Sequence, residues 1–246
     1  DPLEGQRNPD AAFKLAQLVR SCKALRDVCL TYNMPCISGK DSMKNDYLGD
    51  DIKISIPPTL LYTATAIVPD VRYAIGSDFR RHGDVIYLVG PTRDELGASE
   101  LYDMLGMTGK NVPIVCPDEA LARYRSLYRQ ISSGLIRSCH DLSEGGLLVA
   151  LAESCFGGRL GAALELGPHE LGDLHPVRYF FSESPSRLLI SVAPEHAAVV
   201  AAELQPHRLQ RLGTVSESYT LGLGEYGHYD LHELYLSWRL PLALAP

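Results

Sequence analysis

Apolar residues Leu15, Leu18, Val19, Cys22, Leu25 and Cys29 recur at intervals of three and four, with Lys14, Arg20, Lys23 and Asp27 between them. That period predicts an amphipathic helix of about five turns. Asp10 of Asn8-Pro9-Asp10 caps its start, and Asn33-Met34-Pro35 closes it. Cys36-Ile37-Ser38 then reads as a short strand running into a loop at Gly39. Residues 52–56 alternate apolar and polar as a strand does until Pro57-Pro58, and 60–68 form a second apolar strand candidate. The polar, turn-rich run 76–83 predicts a boundary.

Beyond it the pattern changes to strands without alternation, separated by helical stretches. Strands are expected at 84–90, 136–141, 161–166, 186–192 and 212–216. Helices are expected at 94–105, 117–131, 144–155 and 195–204, with Pro117 in a favourable first-turn position. Tyr219, Tyr226, Tyr229, Tyr235 and Trp238 make the tail aromatic, and they are expected to pack on the domain or a neighbour. The mixture predicts an α+β fold with a mixed sheet and packed helices rather than a helical bundle.

Composition narrows the function classes without choosing among them. The 246 residues are 46% hydrophobic and 22% charged, ordinary values for a globular protein. A net charge of −7 argues against a nucleic-acid binder, which carries a basic footprint. No apolar run approaches the roughly 18 residues that span a bilayer, so no membrane role is expected. The six cysteines, at 22, 29, 36, 116, 139 and 155, form no Cys-x-x-Cys or zinc-type spacing. They read as reduced, structural thiols of a cytoplasmic protein; Cys22 and Cys29, seven apart on one helical face, read as buried.

Two polar runs carry the candidate chemistry. Residues 139–149, Cys-His-Asp-Leu-Ser-Glu-Gly-Gly-Leu-Leu-Val, bring His140, Asp141, Ser143 and Glu144 to a Gly-Gly pair where a helix opens. Helix-start amides attract anions, glycines let phosphate approach closely, and a carboxylate can hold magnesium. Alone, the run reads equally well as a turn with Ser143 capping the helix. Residues 36–46, Cys-Ile-Ser-Gly-Lys-Asp-Ser-Met-Lys-Asn-Asp, lack the second glycine and the Gly-Lys-Ser/Thr order of a Walker A loop. Gly39 can still bring backbone to a phosphate, with Lys40, Asp41 and Ser42 as partners.

These runs, together with Ile-Pro-Pro-Thr-Leu at 56–60, Asp-Glu-Leu-Gly-Ala-Ser-Glu at 94–100 and Phe-Ser-Glu-Ser-Pro-Ser-Arg at 181–187, form an ordered series. The series resembles the synthetase part of the formylglycinamide ribonucleotide amidotransferase family, within the aminoimidazole ribonucleotide synthetase superfamily. The resemblance covers residues 1 to about 220. It implies an ATP-dependent ligase of purine biosynthesis: ATP activates the amide oxygen of formylglycinamide ribonucleotide, and glutamine-derived ammonia displaces the phosphate to give the amidine. The family's synthetase core is a pseudo-dimer of two halves, and this chain resembles the second. Residues 1–80 correspond to the end of its N-terminal domain and 84–246 to its C-terminal domain. The opening Asp1 fits an excised piece. Implied partners are the first half, a glutaminase domain or subunit and the small-molecule substrate. The surface uncovered by the absent half is expected to offer a dimer contact.

Residue by residue, the resemblance implies ATP/ADP and Mg2+ as cofactors. Gly39 and Lys40 fall on nucleotide contacts, Ser42 on a contact to the ribonucleotide substrate, Asp141 on a magnesium ligand and Ser143 on a nucleotide contact. Asp141 and Ser143 correspond to an auxiliary site where nucleotide is held without turnover. Lys40 stands where smaller relatives carry a magnesium-binding asparagine; a protonated lysine contacts phosphate instead. Glu183, Ser184 and Arg187 match a segment that binds substrate in the other half, and Pro185 replaces its usual polar residue, which points to loss of that role here. No catalytic residue is assigned, and the isolated chain is expected to be inactive. Another ATP-using enzyme of the superfamily and a structural nucleotide-docking module remain as alternative readings.

Overall fold

The computed structural model describes residues 11–40, 46–49, 52–54, 57 and 59–243. The expected cap Asp10 and the expected substrate contact Ser42 lie outside them. The chain divides into two compact units, Asp1–Ile67 and Val68–Pro246.

In the first unit, α1 (Ala11–Tyr32) follows the three-four apolar period. Asn33 ends it in the left-handed region, at φ 53°, and the Met34 N–H returns to the Cys29 carbonyl at 3.0 Å. Asparagine tolerates that conformation better than most residues, which is why it can serve as the stop. Two three-residue strands, β1 (Tyr47–Gly49) and β2 (Ile52–Ile54), pair antiparallel with Tyr47 opposite Ile54. The strands expected at 36–38 and 60–68 do not form. A strand needs an edge to pair with, and among the described residues of this unit only β1 and β2 supply one another. Leu61 and Ile67 are accordingly 92% and 90% exposed. Cys22, expected inside, is exposed.

The second unit is built on β3 (Val85–Val89), all five of whose residues are buried. Successive side chains of a strand point to opposite faces. Ile86 and Leu88 join one core with Leu147, Leu151, Leu189 and Leu212, while Val85, Tyr87 and Val89 join another with Leu127, Ile190, Val200 and Leu204. A sheet covered on both faces explains why this strand shows no alternation.

After β3 come α2 (Glu100–Met104), α3 (Pro117–Ser132), β4 (Ile136–Asp141), α4 (Gly146–Gly158) and β5 (Gly161–Leu164). Then follow α5 (Pro168–Leu171), α6 (Pro176–Phe181), β6 (Leu188–Val192), α7 (Ala197–Leu204), β7 (Leu209–Ser216), β8 (Thr220–Leu223), β9 (His228–Asp230) and α8 (Leu231–Ala243). The sheet order is β4-β6-β3-β7-β5-β8-β9, antiparallel throughout except for parallel β5 and β8. Its α+β character agrees with the expectation. Helix α4 contributes Leu147, Ala150, Leu151 and Cys155 to one core, and α3 and α7 contribute Leu127, Val200 and Leu204 to the other.

The helix expected over 94–105 is shortened to α2. Glu95 N–H donates to Ser182 Oγ, Gly97 N–H to the Asn111 carbonyl and Ala98 N–H to the Thr108 carbonyl, with Ala98 left-handed at φ 57°. Those tertiary bonds take the amides a longer helix would use, and Ser99 caps the remainder by accepting from Tyr102 N–H. In the tail, Tyr235 and Trp238 pack on Phe156 at ring separations of 5.5 and 5.9 Å.

Candidate functional site

Strand β4 delivers the polar run expected from the sequence. Ser138 is buried and shares a 2.6 Å hydrogen bond with Ser191 of β6, and Cys139 N–H donates to the Gly76 carbonyl. Burial, helped by the Asp141 charge, pushes the Cys139 thiol up to about 12, so this sulfur is a packing group and a poor nucleophile at neutral pH. His140 Nε2 lies 2.9 Å from Glu153 Oε2 on α4, and its Nδ1 lies 3.6 Å from Asp141 Oδ1. The Asp141 carboxylate ends the strand 77% exposed, pointing where a ligand can reach it.

Leu142 then turns inward, buried, with its N–H on the Arg187 carbonyl. Ser143 and Glu144 are exposed. Ser143 is not the helix cap: that position belongs to Gly145, left-handed at φ 76°, and no side chain caps the helix there. The Ser143 carbonyl accepts from Gly146 N–H at 3.1 Å. Gly146 is also left-handed, at φ 66°, and a Cβ on it would stand 2.5 Å from the Ser182 carbonyl oxygen. Gly146 is therefore required by packing against the Ser182 carbonyl at the end of α6, while a Cβ on left-handed Gly145 would meet the Val149 side chain.

The helix start is not an open phosphate cradle. Gly145 N–H donates to Glu183 Oε1 at 2.9 Å, and the same oxygen accepts from Glu100 N–H at 3.0 Å. Arg187, fully buried, donates to the Ser182 and Ser184 carbonyls and to Thr92 Oγ1. Burial draws its guanidinium down to about 10, against the opposing pull of Tyr179, Glu95 and Glu183. A side chain so engaged has no reach toward a substrate, so the 181–187 run serves here as a brace. No spacing along the chain pointed to the Glu183–Gly145 and His140–Glu153 contacts.

Asp141 and Ser143 thus share one turn of the second unit. Gly39 and Lys40 belong to the first unit, both exposed. Among the described residues, no atom lies within 4 Å of where a Gly39 Cβ would stand. Nor does any group of three or more His, Cys, Asp or Glu there have an arrangement that could hold a metal ion. No helix among them is long and apolar enough to cross a membrane. A polar cleft of about 700 Å3 lined by Thr92, Glu170, Tyr179, Arg208 and Gln210 includes none of the expected site residues.

Residues 81–224 match the family model described as AIR synthase related protein, C-terminal domain. The chain belongs to this family. It is 36% identical over 222 residues to the phosphoribosylformylglycinamidine synthase subunit PurL of Synechococcus elongatus, covering 86% of this chain and 28% of that protein. It therefore spans little more than a quarter of the length of that relative. Among solved structures it resembles PurL of Thermotoga maritima complexed with FGAR, with a TM-score of 0.56, 22% identity and coverage of 66% of this chain and 29% of the other. The same protein complexed with ATP gives a TM-score of 0.52 at 20% identity, covering 66% and 27%. At those identities the likeness shows the fold alone.

Proposed function

We propose that this chain is part of an ATP-dependent ligase converting formylglycinamide ribonucleotide to formylglycinamidine ribonucleotide with glutamine-derived ammonia, in de novo purine synthesis. The observation that carries the reading is 36% identity to a PurL subunit across 86% of the chain. A glutaminase partner, a further synthetase half and a cytoplasmic setting belong to the same reading. So do residues 1–80 and 84–246 as the end of one synthetase-like domain and the whole of a second.

Within it, Asp141 is the magnesium ligand, Ser143 and the Gly39–Lys40 run contact nucleotide, and Ser42 contacts the ribonucleotide. The exposed Asp141 carboxylate suits a divalent ion, which would screen phosphate charge when bound. One carboxylate satisfies little of that ion's oxygen shell, so nucleotide and water supply most of the rest. Ser143 offers a hydroxyl two residues away. Gly145 N–H, held by Glu183, is not offered. In this reading the turn holds nucleotide without turning it over, the auxiliary role that the resemblance implies.

Calorimetric titration of Mg-ADP into the chain, with Asp141→Ala beside it, tests the site. Saturable binding weakened about tenfold or more by the substitution is expected, the loss of roughly one charge-assisted contact. Binding indifferent to the substitution would remove Asp141 from the site. Absence of glutamine-dependent amidine formation by the intact gene product would overturn the ligase reading itself.

A further inference from the structure

Glu183 sits in a segment laced to its neighbour on both sides. Its own N–H donates to the Glu95 carbonyl at 3.2 Å. Ser182 Oγ accepts from Glu95 N–H and donates to the Arg93 carbonyl, and Ser184 Oγ accepts from Arg93 N–H. Buried Arg187 ties the carbonyls of Ser182 and Ser184 together from behind. Those bonds hold the backbone from which the Glu183 side chain projects. It places a single carboxylate oxygen between Gly145 N–H, just before α4, and Glu100 N–H, the first residue of α2. The first amides of a helix have no acceptor within the helix, and a carboxylate is among the strongest acceptors they can find. Glu183 is only half-buried, so the position it fills is within reach of solvent.

We propose that Glu183 is a positioning residue: a resident anion that occupies the amide position ahead of α4 and clamps the turn carrying Asp141 and Ser143. The phosphate of a nucleoside diphosphate then approaches from the Asp141–Ser143 side, without using Gly145 N–H. This rests on the reading of that turn as a nucleotide site, but the clamp itself can be tested with no nucleotide present.

The experiment is amide hydrogen exchange, read by NMR on the full chain, for the wild type, Glu183→Ala and Glu183→Gln. In Glu183→Ala, exchange at Gly145 and Glu100 should accelerate about tenfold or more, the loss of a hydrogen bond to a charged acceptor. Leu151 in α4 and Ile190 in β6 should keep their protection. Added sodium formate, a carboxylate small enough to enter the vacated position, should restore protection at Gly145 and Glu100 in that variant, where sodium chloride at equal ionic strength should not. Glu183→Gln retains an acceptor oxygen without the charge and should fall between wild type and alanine; it decides the matter if the alanine variant does not fold. Unchanged exchange at Gly145, or loss spread equally to Leu151 and Ile190, would overturn the clamp. A wild-type chain that exchanges as expected yet binds no Mg-ADP would defeat the nucleotide reading and leave the clamp standing.

Discussion

Gly39 and the Gly145–Gly146 pair mark runs that look alike in sequence, yet the chain treats them differently. Gly145 and Gly146 have φ of 76° and 66°, and a Cβ added to Gly146 would stand 2.5 and 2.9 Å from the backbone oxygens of Ser182 and Phe180. Around Gly39 the described residues leave open space. The two units differ in the same sense. The second has a core on each face of its sheet, whereas none of residues 12–40, 46, 47, 49, 52, 54, 57 and 59–67 is buried. The lesson is that a glycine in a phosphate-like motif can be present for the fold or for a ligand. At 146 the fold alone accounts for it; at 39 nothing in the described fold does.

The largest effect that would test this contrast is in thiol reactivity. Burial pushes the thiols of Cys139 and Cys155 up to about 12, while Cys22 and Cys36 are exposed. At neutral pH the thiolate fraction of buried Cys155 and half-buried Cys139 is about a thousandfold below that of an ordinary thiol near 9. Mass-mapped alkylation of the native chain should label Cys22 and Cys36 first and reach Cys155 only on unfolding. Early labelling of Cys155 would show that the second unit is no better closed than the first.

Substitution of the glycines comes next. Gly146→Ala combines a left-handed backbone with a clash against the Ser182 carbonyl, and should cost about 2–3 kcal/mol. Gly39→Ala should stay within about 0.5 kcal/mol while weakening nucleotide binding. Urea midpoints compare the two directly; equal losses would erase the distinction.

The smallest effect is electrostatic and confined to the second unit. Asp84 is buried, with Oδ1 3.2 Å from Arg137 Nε and no partner for Oδ2. Burial raises its pKa despite the pull of Arg137 and Arg81. A carboxyl with a raised folded pKa favours the native state fully below the ordinary Asp range of about 4, and that contribution is lost as pH rises through the folded value. Asp84→Asn should therefore flatten the fall in stability as pH rises above about 4. Thermal melting across that range reads the change, and an unaltered slope would mean Asp84 titrates normally.

Much of the second unit was legible in advance. The uninterrupted apolar run at 85–89 and the polar-ended run at 136–141 specify strands because burial demands those residue types. The polar turn at 140–146 was legible as a turn too, since a polar run ending in two glycines breaks a strand, although Gly145 rather than Ser143 takes the cap position. The short α2 was not, because the amides of Glu95, Gly97 and Ala98 are claimed by residues far along the chain. Residues 60–68 have strand composition and lack a strand, because pairing is a property of the neighbour as much as of the segment.

The sequence by itself determined most element periods of the second unit and the polar turn at 140–146, which depend on residues near one another. It also determined the α+β class and the family, which depend on the order of such segments along the chain. Only the tertiary structure decided that the amide ahead of α4 is already held by Glu183, that Arg187 is a buried brace, and that His140 leans on Glu153. The contacts join residues separated along the chain by as few as 3 or as many as 95 positions, and geometry rather than local preference chooses which donor meets which acceptor. A buried or half-buried polar group must find some partner, and the folded sheet with its flanking turns determines which.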